Sequence, residues 1–238
     1  MLVVERVTKR FGALVAVHDV SFGVGRGEIV GIIGPNGAGK STLIDVVSGF
    51  EPPSAGTVRF DGRPITGLRP SAICRRGLAR TFQLAQTFGS FTVFDTVLVA
   101  ALGRLPARAA RERTERILEV TGLAAKSSAA SADLTVADQK VLEVAKVLAT
   151  GPRLVFLDEV MAGLNATESA PVVALIRRLR DEGVTFVMVE HIMRIVMSLC
   201  DRIIVLNFGE KIAEGPPAEI VRDRRVIDSY LGEEHVLA

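Results

Sequence analysis

The chain has 238 residues, 48% of them hydrophobic, which is enough to build a substantial buried core. Its 29 basic and 27 acidic residues nearly balance and give no argument for nucleic-acid binding, while two cysteines are too few for a disulfide framework or a metal cluster. No apolar run approaches the roughly 18 to 20 residues that span a bilayer, and no N-terminal segment has the pattern of a secretory leader, so we expect the chain to stay in the cytoplasm.

The N-terminal part of the chain is predicted to form short strands. Residues 2–7 and 14–17 are apolar runs rich in β-branched side chains. Residues 57–60 form a similar run, which the turn dipeptide Asp61-Gly62 closes. These runs predict a mostly antiparallel β layer.

A glycine-rich loop lies between a predicted buried strand at 28–33 and a predicted helix that starts at 42–47. The loop reads G-x-x-x-x-G-K-[ST] and consists of Gly34, Pro35, Asn36, Gly37, Ala38, Gly39, Lys40 and Ser41, followed by Thr42. This pattern is typical of a phosphate-binding P-loop, because its glycines let backbone N–H groups point at an anion that the helix N-terminus also favours. Lys40 would reach the β- and γ-phosphates, and the Ser41 hydroxyl would bind Mg²⁺.

The middle of the chain is predicted to be helical and rich in arginine. Residues 69–80 and 104–122 carry most of these arginines, and residues 133–149 form a further helical pattern. A solvated amphipathic surface is favoured over a nucleic-acid patch for the arginine-rich helices.

Strands and helices alternate in the last third of the chain. The strands are predicted at 154–157, 184–189 and 203–206, with a hairpin partner at 211–213, and the helices at 170–181 and 192–199. This alternation predicts a mostly parallel sheet flanked by helices.

Polar side chains follow two of these strands. Asp158 and Glu159 come directly after the strand at 154–157, and His191 follows the strand at 184–189. Because strand carboxyl ends line the ligand crevice of an α/β sheet, Asp158 could hold Mg²⁺ and Glu159 could polarise a water that attacks the γ-phosphate. His191 would reach the γ-phosphate from the same edge.

These motifs resemble those of the ATP-binding cassette family, the ATPase subunits of ABC transporters. The resemblance implies an α/β P-loop NTPase fold with a mostly parallel core sheet flanked by helices, an N-terminal antiparallel β layer and a helical subdomain. It implies a single domain over residues 1–238, with the helical subdomain at about 69–149 and a C-terminal tail at about 215–238.

The resemblance also assigns roles to single residues. Residues 34–42 look like Walker A and bind ATP, and residues 154–159 look like Walker B. Gln83 resembles the Q-loop glutamine, His191 the switch histidine, and Phe11 an aromatic that stacks on adenine. The implied catalytic residues are Glu159, His191 and Gln83, and the implied Mg²⁺ ligands are Ser41, Gln83 and Asp158.

The signature motif, which reads L-S-G-G-Q in the family, is degenerate in this chain. The matching residues are Leu134, Thr135, Val136, Ala137 and Asp138. In the family this motif contacts the γ-phosphate held by the other subunit of a dimer, so the extra Cβ atoms and the charge of Asp138 should impair that contact. Thr135 and Asp138 could also be a capping box that begins a helix, and both interpretations can hold together.

Within the family, residues 10–12, 79–83 and 226–233 are most similar to the ATPases of branched-chain amino acid importers. The similarity implies an ATP-hydrolysing subunit that helps to import such amino acids or a related small polar solute. The implied partners are transmembrane permease subunits, contacted through residues 83–95, and a second cassette; membrane contact would come only through partners, at the cytoplasmic face, and no nucleic acid is expected. Two alternatives stay open: a soluble ABC ATPase without a transporter, and a regulatory cassette that binds ATP with little hydrolysis.

Overall fold

The computed structural model describes residues 1–82 and 91–234. Within these ranges the strands are β1 (Leu2–Phe11), β2 (Leu14–Val24), β3 (Ile29–Ile33), β4 (Ala55–Phe60), β5 (Arg63–Pro64), β6 (Leu78–Arg80), β7 (Leu154–Asp158), β8 (Thr185–Val189), β9 (Arg202–Asn207) and β10 (Glu210–Gly215). The α-helices are α1 (Lys40–Ser48), α2 (Pro70–Arg75), α3 (Val93–Leu102), α4 (Ala107–Thr121), α5 (Val136–Ala149), α6 (Ala166–Asp181), α7 (Met193–Leu199), α8 (Pro217–Ile220) and α9 (Arg224–Glu234).

The strands form two sheets. The core sheet has the order β10-β9-β3-β8-β7-β6, and all its neighbours pair in parallel except β10 with β9. The second sheet has the order β2-β1-β4-β5 and is antiparallel throughout. The predicted α/β fold, with a mostly parallel core sheet and an N-terminal antiparallel layer, is therefore confirmed.

The core sheet is buried on both faces, which explains why its strands are continuous apolar runs. In β3, Ile29 and Ile33 face a core shared with α3 to α7, whereas Val30 and Ile32 face a second core shared with α1 and the antiparallel sheet. This packing fixes the carboxyl ends of β3, β7 and β8 along one edge. No helix in the described ranges combines the length and apolar character needed to cross a bilayer.

The prediction of helix over residues 69–80 is wrong for its last part. Helix α2 ends at Arg75, Gly77 follows with a φ of 96°, and Leu78–Arg80 form β6 at the edge of the core sheet. A glycine in this conformation just past a helix ends it, because the left-handed region costs glycine little. The helical subdomain over about 69–149 stays a prediction; α2 to α5 lie in that range, and β6 pairs with the core sheet.

Candidate nucleotide-binding site

At two positions of the loop between β3 and α1, the backbone conformation and the close packing suit only glycine. Gly34 has a φ of 151°, and a Cβ atom there would lie 2.1 Å from the carbonyl oxygen of Leu206. Gly39 has a φ of 96°, and a Cβ atom there would lie 2.3 Å from the carbonyl oxygen of Ala16. The loop is therefore packed tightly against β9 and β2.

The N-terminus of α1 is suited to an anion. Its N-cap is Gly39, the described part of the chain supplies no side-chain cap to it, and its first turn contains no acidic residue. The first N–H groups of a helix have no intrahelical partner, so they can donate hydrogen bonds to a bound anion, and the helix dipole attracts the same anion. The Lys40 ammonium lies across the loop and donates to the carbonyl oxygens of Gly34 and Pro35 at 2.7 and 2.8 Å.

A cavity of about 570 Å³ opens in front of this loop. It is lined by Phe11, Leu14, Val15, Ala16, Asn36, Gly37, Ala38, Gly39, Lys40, Ser41, Thr42, Glu159, Phe208 and Gly209. The cavity thus brings together the predicted adenine-stacking residue, most of the P-loop and the predicted catalytic glutamate. Sequence reasoning missed the contribution of the β9–β10 turn, since nothing in a hairpin sequence indicates what lies beside it.

Phe11 presents a partly exposed ring to this cavity. The ammonium of Lys9 lies 4.7 Å from the ring centroid and is itself held by the Glu51 carboxylate and the Pro52 carbonyl oxygen, at 2.8 and 2.9 Å. This anchored cation–π contact restrains the ring from one side.

Arg80 joins the two segments predicted to handle the nucleotide. Its guanidinium is largely buried, donates to the Asp158 carboxylate at 2.9 Å and forms a second ion pair with Asp45 of α1. The rings of Phe50 and Phe82 lie on it, with centroids 5.2 and 5.1 Å from the guanidinium carbon. No local pattern indicates this role, because Asp45 and Asp158 are distant from Arg80 along the chain.

The Asp158 carboxylate is almost fully buried at the end of β7. Burial raises its pKa above the ordinary value, the positive charge of Arg80 works against that rise, and the negative charge of Glu159 adds to it. Carboxylate and hydroxyl oxygens are ligands that suit Mg²⁺, so Asp158 and Ser41 fit such an ion chemically. Gln83, the third predicted ligand, lies outside the described residues.

Glu159 and His191 both follow the ends of neighbouring parallel strands. Asp158 is opposite Val189 in the register of β7 with β8, and the Glu159 N–H donates to the Val189 carbonyl oxygen at 2.9 Å. Glu159 has a φ of 48°, an uncommon conformation for a residue with a side chain. His191 is exposed two residues beyond β8, at the same sheet edge, and is not among the described residues that line the cavity.

Glu190, between β8 and His191, is a buried acid. Its Oε1 accepts a hydrogen bond from the Met161 N–H at 2.9 Å, and its Oε2 has no partner among the described residues. Burial raises its pKa to about 7; the hydrogen bond from Met161 and the charge of Lys140 oppose the rise, and Glu159 and Asp158 contribute to it.

The degenerate signature begins α5. Thr135 is the N-cap, its hydroxyl oxygen accepts from the Asp138 N–H at 3.2 Å, and the hydroxyl donates to the Asp138 carboxylate at 2.6 Å. Lys126 pairs with the same carboxylate. Partial burial raises the pKa of Asp138, but the hydrogen bonds from Lys126 and Thr135 lower it overall, so the carboxylate is charged and locally neutralised. Leu134 is buried and Val136 exposed, and Ala137 packs partly against the helical core.

A second, mostly apolar pocket of about 310 Å³ lies behind Arg80. It is lined by Ser48, Phe50, Pro70, Ser71, Cys74, Leu78, Ala79, Arg80, Phe82, Glu143, Lys146, Val147 and Thr150. Phe50 and Phe82 meet edge to face at its rim, with ring centroids 5.5 Å apart, and both are about half exposed. Phe82 is the last described residue before the segment predicted to contact a permease.

The two cysteines lie in different surroundings. Cys74 lines the apolar pocket and is partly exposed, whereas Cys200 is buried beneath β3. Burial raises the pKa of the Cys200 thiol to about 12, and the charges of Asp201 and Glu190 add to the effect.

Comparison with known proteins identifies the family of this site. A family profile described as "ABC transporter" matches residues 17–162, which is more than half of the chain and includes the P-loop and β7. The chain belongs to the ABC transporter family of ATP-binding proteins. A second profile, "Branched-chain amino acid ATP-binding cassette transporter", matches residues 210–236.

Relatives of known function cover nearly the whole chain. The high-affinity branched-chain amino acid transport ATP-binding protein BraF of Pseudomonas aeruginosa is 39% identical, over 98% of both chains. The corresponding protein LivG of Escherichia coli is 37% identical over the same shares. A crystal structure of the ADP conformation of the ATP-binding cassette MJ1267 superimposes with a TM-score of 0.90 at 31% identity, over 98% of both chains. The superposition thus covers nearly the full length of this chain and of that cassette.

Proposed function

We propose that this chain binds and hydrolyses ATP as a subunit of an ABC transporter that imports branched-chain amino acids or a related small polar solute. The observation that carries the proposal is the shared cavity, in which the open N-terminus of α1 and Lys40 lie with Phe11 and Glu159. The names of the relatives and the match over residues 210–236 support the amino-acid substrate.

The phosphates would bind to backbone N–H groups of residues 36–42 and to Lys40, and the adenine would stack on Phe11. Ser41, Asp158 and Gln83 would hold Mg²⁺, which would neutralise phosphate charge when bound. Glu159 would orient and polarise the attacking water, and His191 would support the γ-phosphate. Catalysis on this scheme is mainly placement and charge stabilisation.

The degenerate signature favours a partner cassette. The Thr135 hydroxyl and the Asp138 N–H already bond to each other, and Asp138 brings a carboxylate to the place where a phosphate would approach. An intact signature on another cassette would complete the site built on this chain's P-loop. Replacing residues 135–138 by Ser-Gly-Gly-Gln should raise hydrolysis by the pair, and unchanged hydrolysis would contradict the idea that this motif limits the second site.

A permease subunit would contact the rim of the apolar pocket, near Phe50 and Phe82, and the following segment at 83–95. Phe94, one of the phenylalanines in that segment, instead packs partly against the helical core, with the guanidinium of Arg111 6.0 Å from its centroid. Membrane contact would come through such partners at the cytoplasmic face.

The experiment that tests the proposal places Glu159→Gln in this chain within the assembled transporter, with its partner cassette and permease subunits. We expect ATP binding to persist and hydrolysis to fall about 100-fold, a typical contribution of a positioned general base. Glu115→Gln, at an exposed position of α4, is the matched control and should change neither. Hydrolysis by the assembly that Glu159→Gln in this chain leaves untouched would instead favour a regulatory cassette, and stimulation by nucleic acid would favour a soluble ABC ATPase.

The oligomeric state of the Glu159→Gln protein in ATP and Mg²⁺, followed by size-exclusion chromatography with light scattering, tests the pairing. An ATP-dependent dimer of this chain alone would show that its own signature suffices and would overturn the need for a different cassette. A monomer that binds ATP would support the need for a different cassette.

Uptake of labelled leucine by cells that contain the chain with its permease subunits, and loss of uptake with Lys40→Ala, would test the substrate.

A further inference from the structure

Phe208 has an unusual position for a large apolar side chain. It is 88% exposed, the highest value among the large hydrophobic residues in the described part of the chain. It lies with Gly209 in the two-residue turn between β9 and β10, and both have a positive φ, 46° and 81°. Turns of this kind favour Asn-Gly or Asp-Gly, and a bulky residue in the left-handed region is strained. Neither folding nor turn formation therefore explains an aromatic residue here.

The turn is held rigidly beside the nucleotide cavity. The Gly209 N–H donates to the carbonyl oxygen of Ala38 in the P-loop at 3.1 Å, and the Gly209 carbonyl oxygen accepts from the His18 N–H at 2.8 Å. These bonds tie the turn to the P-loop and to β2 at once. The backbone of the turn is thus held at the rim of the cavity, which Phe208 lines.

Two further exposed apolar side chains line the same cavity, Phe11 at 45% and Leu14 at 65%. The P-loop end of the cavity is polar and suited to phosphates, whereas these three side chains suit an apolar group. The base is the flat, apolar part of a purine nucleotide, and aromatic rings bind its face by stacking and burial.

We propose that Phe208 is a nucleotide-binding residue that, together with Phe11 and Leu14, contacts the purine ring of a bound nucleoside triphosphate. The inference rests on the proposed function, because it needs the triphosphate in the P-loop. Strain that persists in an exposed residue beside a ligand cavity is consistent with a functional reason for the residue. Because a ring contacts the face of a base and not its edge, Phe208 should favour ATP and GTP equally.

The test compares Phe208→Gly with wild type by calorimetric titration of the full chain with ATP, with GTP and with inorganic tripolyphosphate. We expect the Kd for ATP and for GTP to rise about tenfold, since stacking of a base on an aromatic ring is typically of that strength. The Kd for tripolyphosphate, which has no base, should not change. Thermal unfolding without ligand should occur at the same or a higher temperature, because glycine relieves the positive φ and an exposed ring packs against little.

Two matched variants sharpen the result. Phe208→Tyr keeps the ring and should keep the affinity for ATP. Ile227→Ala removes an exposed apolar side chain from α9, whose residues are not among the described lining of the cavity, and should also leave the affinity unchanged.

Three outcomes would overturn the inference. An unchanged Kd for ATP in Phe208→Gly would do so, as would an equal loss for tripolyphosphate, which would mean that the turn acts only on the P-loop backbone. Loss of ATP-dependent pairing with the partner cassette, with intact ATP binding, would assign the ring to the contact with that cassette instead. Failure of the proposed function is distinguishable, since wild-type protein would then bind neither ATP nor tripolyphosphate.

Discussion

Two helix N-termini of this chain are predicted to face nucleotide phosphates, and they are built in opposite ways. Helix α1 begins after Gly39, with no side-chain cap from the described residues. Helix α5 begins after Thr135, whose hydroxyl occupies the Asp138 N–H, and Asp138 adds a carboxylate that Lys126 neutralises. Since every helix has the same kind of dipole, the residue at the N-cap decides whether a helix end is available to an anion.

The two helices also differ in how they are held. Helix α1 is anchored from behind, because Arg80 pairs with Asp45 in its second turn and with Asp158 of β7. Helix α5 is held at its own tip by Thr135 and Asp138. The ion pair in the second turn of α1 leaves the N–H groups at its N-terminus available to a ligand. At the N-terminus of α5, the hydrogen bond to Thr135 uses an N–H group that a ligand would need.

Removing the anchor behind α1 should have the largest effect on stability. Arg80→Met leaves the buried Asp158 carboxylate without its cation, and we expect the free energy of unfolding to fall by about 3–5 kcal/mol. Urea unfolding monitored by circular dichroism measures this change, with Arg116→Met on the exposed face of α4 as the control. Adding Asp158→Asn to Arg80→Met should restore part of the loss; a double variant no more stable than the single one would contradict the explanation.

The pKa of Glu190 depends first on burial and then on groups from both regions, because the charges of Lys140 in α5 and of Asp158 and Glu159 at the end of β7 act on it. Its pKa is 4.5 in an unfolded chain and about 7 in the folded one, so between these values the folded state keeps a proton that the unfolded state loses. The contribution of Glu190 to stability should therefore be greatest below pH 4.5 and be lost as pH rises through about 7, by about 3 kcal/mol in total.

Glu190→Gln removes this titration and keeps an oxygen that can accept from the Met161 N–H. Relative to wild type, the variant should gain stability as urea unfolding is repeated from pH 5 to about pH 7, and the difference should level off towards pH 8. A constant difference between the two proteins over that range would show that Glu190 is ionised throughout.

A side chain at the N-cap of α1 should make its N-terminus less available to an anion, as the N-terminus of α5 already is. Gly39→Ser places a Cβ atom within 2.3 Å of the Ala16 carbonyl oxygen, so the loop must move. We expect the affinity for ATP to fall about 100-fold, since hydrogen bonds to a charged phosphate contribute about 1.5–3 kcal/mol each. Calorimetric titration with ATP measures it. Gly67→Ser, at a positive φ with no atom near the added Cβ, controls for backbone strain alone and should keep the affinity.

Removing the cap of α5 should have the smallest effect. Thr135→Ala deletes the hydroxyl that accepts from the Asp138 N–H, and the free energy of unfolding should fall by about 1 kcal/mol. Thr135→Ser keeps the hydroxyl and should keep most of the stability. Equal losses in both variants would mean that the methyl group, not the cap, carries the contribution.

Much of the fold was predictable because it depends on local patterns. The β-branched runs before residues 34 and 158 predicted buried strands, and the glycines and Lys40 predicted the loop between β3 and α1. Thr135 was predicted correctly as an N-cap from its spacing to Asp138. The strand at 78–80 was missed, because three residues after an arginine-rich helix carry no period of their own.

The parts of the site that were not predicted depend on contacts between segments that are distant along the chain. Arg80 looked like one of many arginines, and its ion pair with Asp158 exists only because β6 and β7 are parallel neighbours. The position of Phe208 beside the P-loop likewise depends on a contact between distant segments, the hydrogen bond from the Gly209 N–H to the Ala38 carbonyl oxygen. The pairing of Lys126 with Asp138, which offsets the charge expected at the signature, likewise comes from packing.

Because the two thiols differ in exposure, the natural protein should accept a single fluorescent label at one cysteine. The thiolate is the form that attacks an alkylating reagent, and a buried thiol with a pKa of about 12 offers almost none near neutral pH, so Cys200 should stay unmodified. A fluorophore attached through maleimide should therefore go to Cys74, in the pocket beside Phe50 and Phe82. Its emission would follow the arrival of a permease at that pocket in a protein from which no cysteine has been removed.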